Sequence, residues 1–128
     1  YGNFTALNNL SFKIEYGERI VLLGNNGCGK STILKILAGL IYPKNGKYIY
    51  NNHEIDKKYF KKENKNFRKE VAILFQNPDT MLFNQTVKDE IAFGINELNI
   101  KTDIEKIAKE FEISHLLSRN PLKLSGGE

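Results

Sequence analysis

Gly24-Asn25-Asn26-Gly27-Cys28-Gly29-Lys30-Ser31-Thr32 is the stretch on which the fold turns. Gly24, Gly29, Lys30 and Ser31 fill the fixed positions of G-x-x-x-x-G-K-[ST], a spacing whose meaning depends on what flanks it. Upstream, residues 19–23 form a short apolar run of the kind buried on both faces of a parallel sheet. Downstream, Ile33, Leu34, Ile36, Leu37 and Leu40 recur at helical spacing, and Gly39 with Pro43 supplies a stop. Strand, glycine loop and helix therefore follow in order. Glycines open backbone conformations barred to other residues, so the amides of Asn25, Asn26, Gly27, Cys28 and their neighbours can converge on phosphate oxygens at the positive end of a helix starting near Lys30. Lys30 adds a point charge for β- and γ-phosphates, the Ser31 hydroxyl suits Mg²⁺, and Thr32 offers a further amide and hydroxyl. The bland alternative, a glycine-rich turn without a ligand, explains none of the flanking pattern. Cys28 stands where a small residue fits, and an oxidisable thiol at a helix start is the competing reading.

A chain of 128 residues suffices for one domain, and a second independent one is not expected. Hydrophobic content of 41% and charge of 27% are ordinary globular values. The longest apolar stretches, residues 20–23 and 33–40, fall short of the roughly 18 needed to cross a bilayer, so any membrane role must come through a partner. A single cysteine excludes an internal disulfide, no signal peptide is seen, and a reducing cytoplasm fits best. The net charge of +4 is concentrated at Lys57, Lys58, Lys61, Lys62, Lys65, Arg68 and Lys69. Glu63 and Glu70 interrupt that run, which reads as a solvated face, and no nucleic acid is expected as a partner. Residues 10–15 alternate as a half-buried strand would, and Tyr16, Gly17 and Glu18 read as a turn. A first residue of Tyr1 and a last stretch that stops inside a motif predict a fragment of something longer.

Three further segments, taken with the loop, make the chain resemble the ATP-binding cassette (ABC) ATPase family: Tyr1 ahead of the first strand, Gln76 after the apolar run 71–75, and LSGGE at residues 124–128. Their order is the family's order. The resemblance implies an α/β P-loop NTPase with an N-terminal β subdomain, a partial RecA-like core and a helical subdomain. Residues 1–128 would be a partial nucleotide-binding domain, from Walker A through the signature motif, without Walker B or the switch regions. It implies ATP and Mg²⁺ as cofactors. Tyr1 would stack on adenine, Lys30 and Gln76 would act in catalysis, and Ser31 and Gln76 would serve the metal, with the general base outside this chain. Ser125, Gly126 and Gly127 would face the ATP of a second ABC ATPase domain. Physically, a tyrosine offers a π face, a glutamine a hard amide oxygen, and a serine with two glycines a capped, closely approachable anion site. The plain alternatives are an N-terminal tyrosine packed on a strand, a loop glutamine and a helix-capping turn. Glu128 departs from the commoner glutamine, and its charge near phosphate would slow closure unless it points away.

QNPDTMLFNQTVKDEIAFG at residues 76–94 is similar to the corresponding stretch of energy-coupling factor ATPases, which power vitamin and cobalt or nickel uptake. Met81, Leu82 and Phe83 form an apolar cluster fit to receive a coupling helix from a transmembrane subunit, or to pack the helical subdomain. Thr86 can cap residues 87–93, and Ile104, Ile107, Ala108 and Phe111 predict an amphipathic helix that packs internally. His53 and His115 lack metal-ligand spacing and read as surface residues. The resemblance thus implies an ATP-binding subunit at the cytoplasmic face of a membrane. It would pair with a second ABC ATPase domain, identical or not, and couple Mg-ATP hydrolysis to import of a small solute. The alternatives are a non-catalytic truncated module and a soluble ABC protein acting on ribosomes or nucleic acid. This stretch alone is expected to turn ATP over hardly at all, and an apolar edge beside residues 20–23 predicts poor solubility.

Overall fold

In the computed structural model, which describes residues 5–128, the helix foreseen after the glycine loop is α1, Lys30–Leu37. Its exit is fixed by main-chain bonds: the Gly39 amide donates to Ile36 O and the Leu40 amide to Lys35 O, both at 2.8 Å, with Gly39 at φ 64°. This is the Schellman arrangement, which requires a left-handed residue after the helix and finds it in glycine. A hairpin follows, β1 (Ile49–Tyr50) antiparallel to β2 (His53–Glu54), with Tyr50 opposite His53. Asn51 and Asn52 turn it with φ 47° and 63°, the pair of positive values that a two-residue hairpin loop demands. The Tyr48 hydroxyl donates to Leu37 O at 3.0 Å, tying the approach to the hairpin to the last turn of α1. Burial, aided by Tyr50, pushes the Tyr48 phenol up, so it stays a donor well beyond neutral pH.

The chain divides into two compact units, Tyr1–Lys62 and Glu63–Glu128. Among the described residues, Ala38 and Ile55 are buried apolar residues of the first, and Phe67, Val87, Ala108, Leu116 and Pro121 of the second. Helix α2 (Lys57–Glu70) runs through the division. Among its side chains, Phe67 is buried, and Tyr59 and Phe60 are half-buried. In the second unit a 3-10 turn at Pro78–Met81 leads to α3 (Val87–Glu97) and α4 (Ile104–Glu110), then to 3-10 turns at Ser114–Leu116 and Pro121–Lys123. Thr86 caps α3 as foreseen, its hydroxyl accepting from the Asp89 amide at 3.1 Å, and Asp103 caps α4 in the same manner. Two more donors of the first turn of α3 are satisfied from a distance: Val87 N–H reaches Arg119 O at 3.0 Å and Lys88 N–H reaches Leu117 O at 2.9 Å. The amphipathic helix over residues 104–111 is present, with Ala108 fully buried, but Phe111 lies just past its end and is exposed.

The strands expected at residues 10–15 and 19–23, like the apolar run 71–75, are not paired: among the described residues the ladder joins only β1 and β2. A helix closes its own hydrogen bonds, whereas an extended segment becomes a strand only when a neighbour supplies donors and acceptors. No described segment offers that neighbour, and Val21, Leu23 and Leu74 are 77%, 87% and 79% exposed. The parallel sheet inferred from the apolar runs is thus absent from the described residues, while the helical portion is present. No helix among these residues is long and apolar enough to cross a membrane.

Candidate functional site

Residues 24–32 gather into a single loop and helix start in the first unit, with residues 24–28 exposed. Gly29 is the N-cap of α1 at φ 97°, and no side chain accepts from the first turn, which also carries no acidic residue. The leading amides of α1, at Lys30, Ser31 and Thr32, precede the first donor satisfied within the helix, Ile33 N–H to Gly29 O at 3.0 Å. Such a terminus joins orphan N–H groups to the positive end of the peptide dipoles, the local chemistry that attracts an anion. Glycine is required at position 29 on two counts. A left-handed φ is costly for other residues, and an added Cβ would sit 2.7 Å from both Ala6 O and Leu7 Cδ2.

Lys30 turns back over this loop. Its ammonium donates to Gly24 O and Asn25 O, each at 2.8 Å, and lies 3.7 Å from Cys28 Sγ. The positive charge is therefore positioned by the loop's own carbonyls. Ser31 is exposed on the first turn, one residue beyond. Among the described residues no group of three or more His, Cys, Asp or Glu side chains gathers around a metal position. Mg²⁺ needs no such cage, since it keeps waters and binds phosphate oxygens beside one or two protein oxygens, and the Ser31 hydroxyl fits that role. Cys28 is a free, exposed thiol.

The other candidate residues within the described part belong to the second unit. Gln76 is exposed in a bend at the end of residues 71–75, before the Pro78–Met81 turn. That turn is fixed by Asn77, whose side chain accepts from Asp79 N–H at 3.1 Å and whose carbonyl accepts from the Thr80 hydroxyl at 2.7 Å. Of the apolar cluster, Met81 and Leu82 are half-buried, and Phe83 is 64% exposed. The Phe83 ring stands edge-on to Phe93 at 4.8 Å. Sequence reasoning missed what holds it there: Glu90 Oε2 accepts from Phe83 N–H at 3.2 Å, from Asn84 N–H at 2.8 Å and from Asn84 Nδ2 at 3.0 Å. One carboxylate on α3 thus clamps the loop that displays the aromatic ring.

Ser125 does not begin a helix among the described residues. Residues 125–128 form a turn closed by Glu128 N–H donating to Ser125 O at 3.0 Å. The Glu128 carboxylate folds back to accept from Ser125 N–H at 3.0 Å and from the Ser125 hydroxyl at 2.7 Å, while Arg119 donates to its other oxygen at 3.1 Å. The backbone and hydroxyl bonds from Ser125, then Arg119 and His115, hold the Glu128 carboxyl below the usual carboxylate range. The charge that sequence reading placed in the way of a phosphate is thus directed at Ser125 and Arg119. Gly126 and Gly127 are exposed, with open space where a Cβ would stand. Tyr1 lies outside the described residues. A shallow groove of about 520 Å³ in the second unit, lined by Thr86, Lys88, Asp89, Glu105 and Ser114 among others, contains none of the candidate nucleotide-binding residues.

The family model described as ABC transporter matches residues 7–128. A putative ABC transporter ATP-binding protein of Methanosarcina acetivorans is 42% identical over 99% of this chain and 50% of its own length. The energy-coupling factor transporter ATP-binding protein EcfA1 of Mycoplasmopsis synoviae is 42% identical over 96% of this chain and 47% of its own. Its namesake from Fusobacterium nucleatum is 38% identical over 100% and 49%. The chain spans about half the length of the curated relatives it matches.

Proposed function

Because the chain belongs to the ABC transporter family, we propose that it is the ATP-binding portion of an importer subunit of the energy-coupling factor type, and that residues 24–32 hold the nucleotide's phosphates. The observation that carries this reading is the start of α1: an uncapped first turn, a left-handed Gly29, and the Lys30 ammonium held 2.8 Å from Gly24 O and Asn25 O. In this reading the amides of the loop and first turn bind the β-phosphate, and Lys30 shifts its donors toward the β- and γ-phosphate oxygens. Ser31 and Gln76 are the oxygens that would hold Mg²⁺, which when bound neutralises charge building on the transferring phosphoryl group. Tyr1 provides a stacking face for adenine. Gln76 orients the attacking water through its amide, and no residue of this stretch is assigned as general base.

Ser125, Gly126 and Gly127 make the second phosphate surface, and it serves the nucleotide of a partner ABC ATPase domain. Two such domains, identical or not, would close on two ATP molecules. Met81, Leu82 and Phe83 receive a transmembrane subunit at the cytoplasmic face of the membrane, where the exposed Phe83 ring, fixed by Glu90 and Phe93, is the anchor. The imported solute is selected by the membrane subunits.

The test is titration calorimetry of the intact protein with Mg-ATP. Lys30→Ala is expected to abolish measurable binding while leaving the fold intact, and unchanged affinity would sink the assignment.

A further inference from the structure

Helix α2 (Lys57–Glu70) sorts its charges more completely than its linear sequence suggests. At 3.6 residues per turn, Lys57, Arg68, Lys61, Lys65, Lys58, Lys69 and Lys62 follow one another around a single arc of about 140°, with no other residue type among them. Glu63 and Glu70 fall on the opposite arc, beside Tyr59, Phe60 and Phe67. That opposite arc holds the seated side: Phe67 is 1% exposed, and Phe60 packs edge-on to Tyr42 at 5.8 Å between centroids. The six lysines are exposed, and none takes part in an ion pair among the described residues. The run that reads as an interrupted, solvated segment is, once wound, an uninterrupted cationic face about 21 Å long.

We propose that this face docks on the anionic headgroups of a phospholipid bilayer. Two observations favour a lipid surface over a nucleic acid. The arc is lysine but for Arg68 at one side, so it presents mobile point charges rather than the planar forks and amides that read base edges. It also carries no aromatic side chain, and single-stranded nucleic acid is held on stacked aromatic platforms. Lysine clusters of this size on a helix face are drawn to the negative potential of an anionic leaflet, and their long stems let the ammoniums reach the headgroup plane. The inference rests on the transporter reading for bringing the chain beside a bilayer. It adds a direct lipid contact to the docking on membrane subunits.

The experiment is cosedimentation of the intact protein with vesicles of phosphatidylcholine alone or of phosphatidylcholine and phosphatidylglycerol in equal parts. Binding is expected to the anionic vesicles only, and to vanish at high salt as the screening length contracts. Lys58→Gln, Lys62→Gln and Lys65→Gln combined should weaken it about a hundredfold. Lys101→Gln, Lys106→Gln and Lys123→Gln, which remove the same charge elsewhere, should leave it within about twofold. Equal loss in both triple variants, equal binding to neutral vesicles, or binding to polyuridine with none to vesicles would overturn the proposal, the last in favour of nucleic acid. Mg-ATP affinity of the α2 variant should match that of the unaltered protein. Nucleotide binding without vesicle binding sinks this inference alone, and vesicle binding without nucleotide binding sinks the nucleotide reading alone.

Discussion

Helices α1 and α3 begin in opposite ways. At α3 every early donor has an accounted partner or a favourable charge: the Thr86 hydroxyl caps the Asp89 amide, Leu117 and Arg119 carbonyls take the Lys88 and Val87 amides, and Asp89 and Glu90 sit in the first turn. At α1 the cap is a glycine with no side chain, the first turn holds no acid, and the nearest charge is the cation Lys30. The first is a helix end finished for stability, and the second is the uncapped end proposed to receive an anion. Contrasting them separates what a helix needs to exist from what a site needs to bind, because α1 forgoes caps worth about 1 kcal/mol that α3 uses.

The sharpest way to break the contrast is to make α1 resemble α3. Ser31→Asp places a carboxylate in the open turn, where it should help the helix slightly and repel phosphate strongly. Two like charges at ~4 Å and an effective dielectric of ~20 repel by up to about 4 kcal/mol, so Mg-ATP affinity is expected to fall by up to about a thousandfold. Calorimetry reads the affinity, and a binding constant within twofold of the original would erase the distinction drawn between the two ends. Next in size is Gly29→Ala. Its Cβ would meet Ala6 O and Leu7 Cδ2 at 2.7 Å with φ at 97°, and a loss of about 2 kcal/mol in urea unfolding is expected. A neutral result would mean that the loop adjusts and that its shape does not depend on glycine.

At α3 the effects should be smaller and confined to stability. Thr86→Ala removes the cap and should cost about 1 kcal/mol, seen as a lowered urea midpoint with Mg-ATP affinity unchanged. A drop in affinity instead would show that the two helix ends do not divide the labour as described. Smallest is Glu112→Gly. Glu112 adopts φ 59° beyond α4, a conformation that favours glycine, and the substitution should raise stability by about 0.5 kcal/mol in the same assay. A loss would place the side chain in a contact that outweighs its backbone strain.

How much of this was legible beforehand depended on how local each feature is. The helix after the glycine loop and its glycine stop were readable because the pattern of Ile33, Leu34, Ile36 and Leu37 and the exit at Gly39 lie within a few residues of one another. The Thr86 cap was legible for the same reason. Residues 19–23 were equally clear as an apolar run, but periodicity reports which side chains avoid water without saying what covers them. No described strand pairs with that segment. The Asn51 and Asn52 turn carried a signal that went unread, two consecutive residues tolerant of positive φ between extended ones. The clamp of Glu90 on Phe83 and Asn84, and the turning of Glu128 onto Ser125, were beyond reach, because each depends on the rotamer that brings a carboxylate to a particular amide. The α2 cationic arc was hidden for a simpler reason: Glu63 and Glu70 interrupt it along the chain and not around the helix.

The exits of the helices carry a consequence of their own. α1, α3 and α4 end on the same two main-chain hydrogen bonds, closed by Leu40, Ile100 and Ile113 amides reaching back to Lys35, Ile95 and Ala108 carbonyls. The left-handed position between is filled by Gly39, Asn99 and Glu112 in turn. Three unlike residues at one geometric post show that the chain reversal is specified by the backbone, with residue identity grading its strain. Those posts form a tolerant channel for sequence drift, in which substitutions shift stability by a fraction of the whole and leave the direction of the emerging chain unchanged.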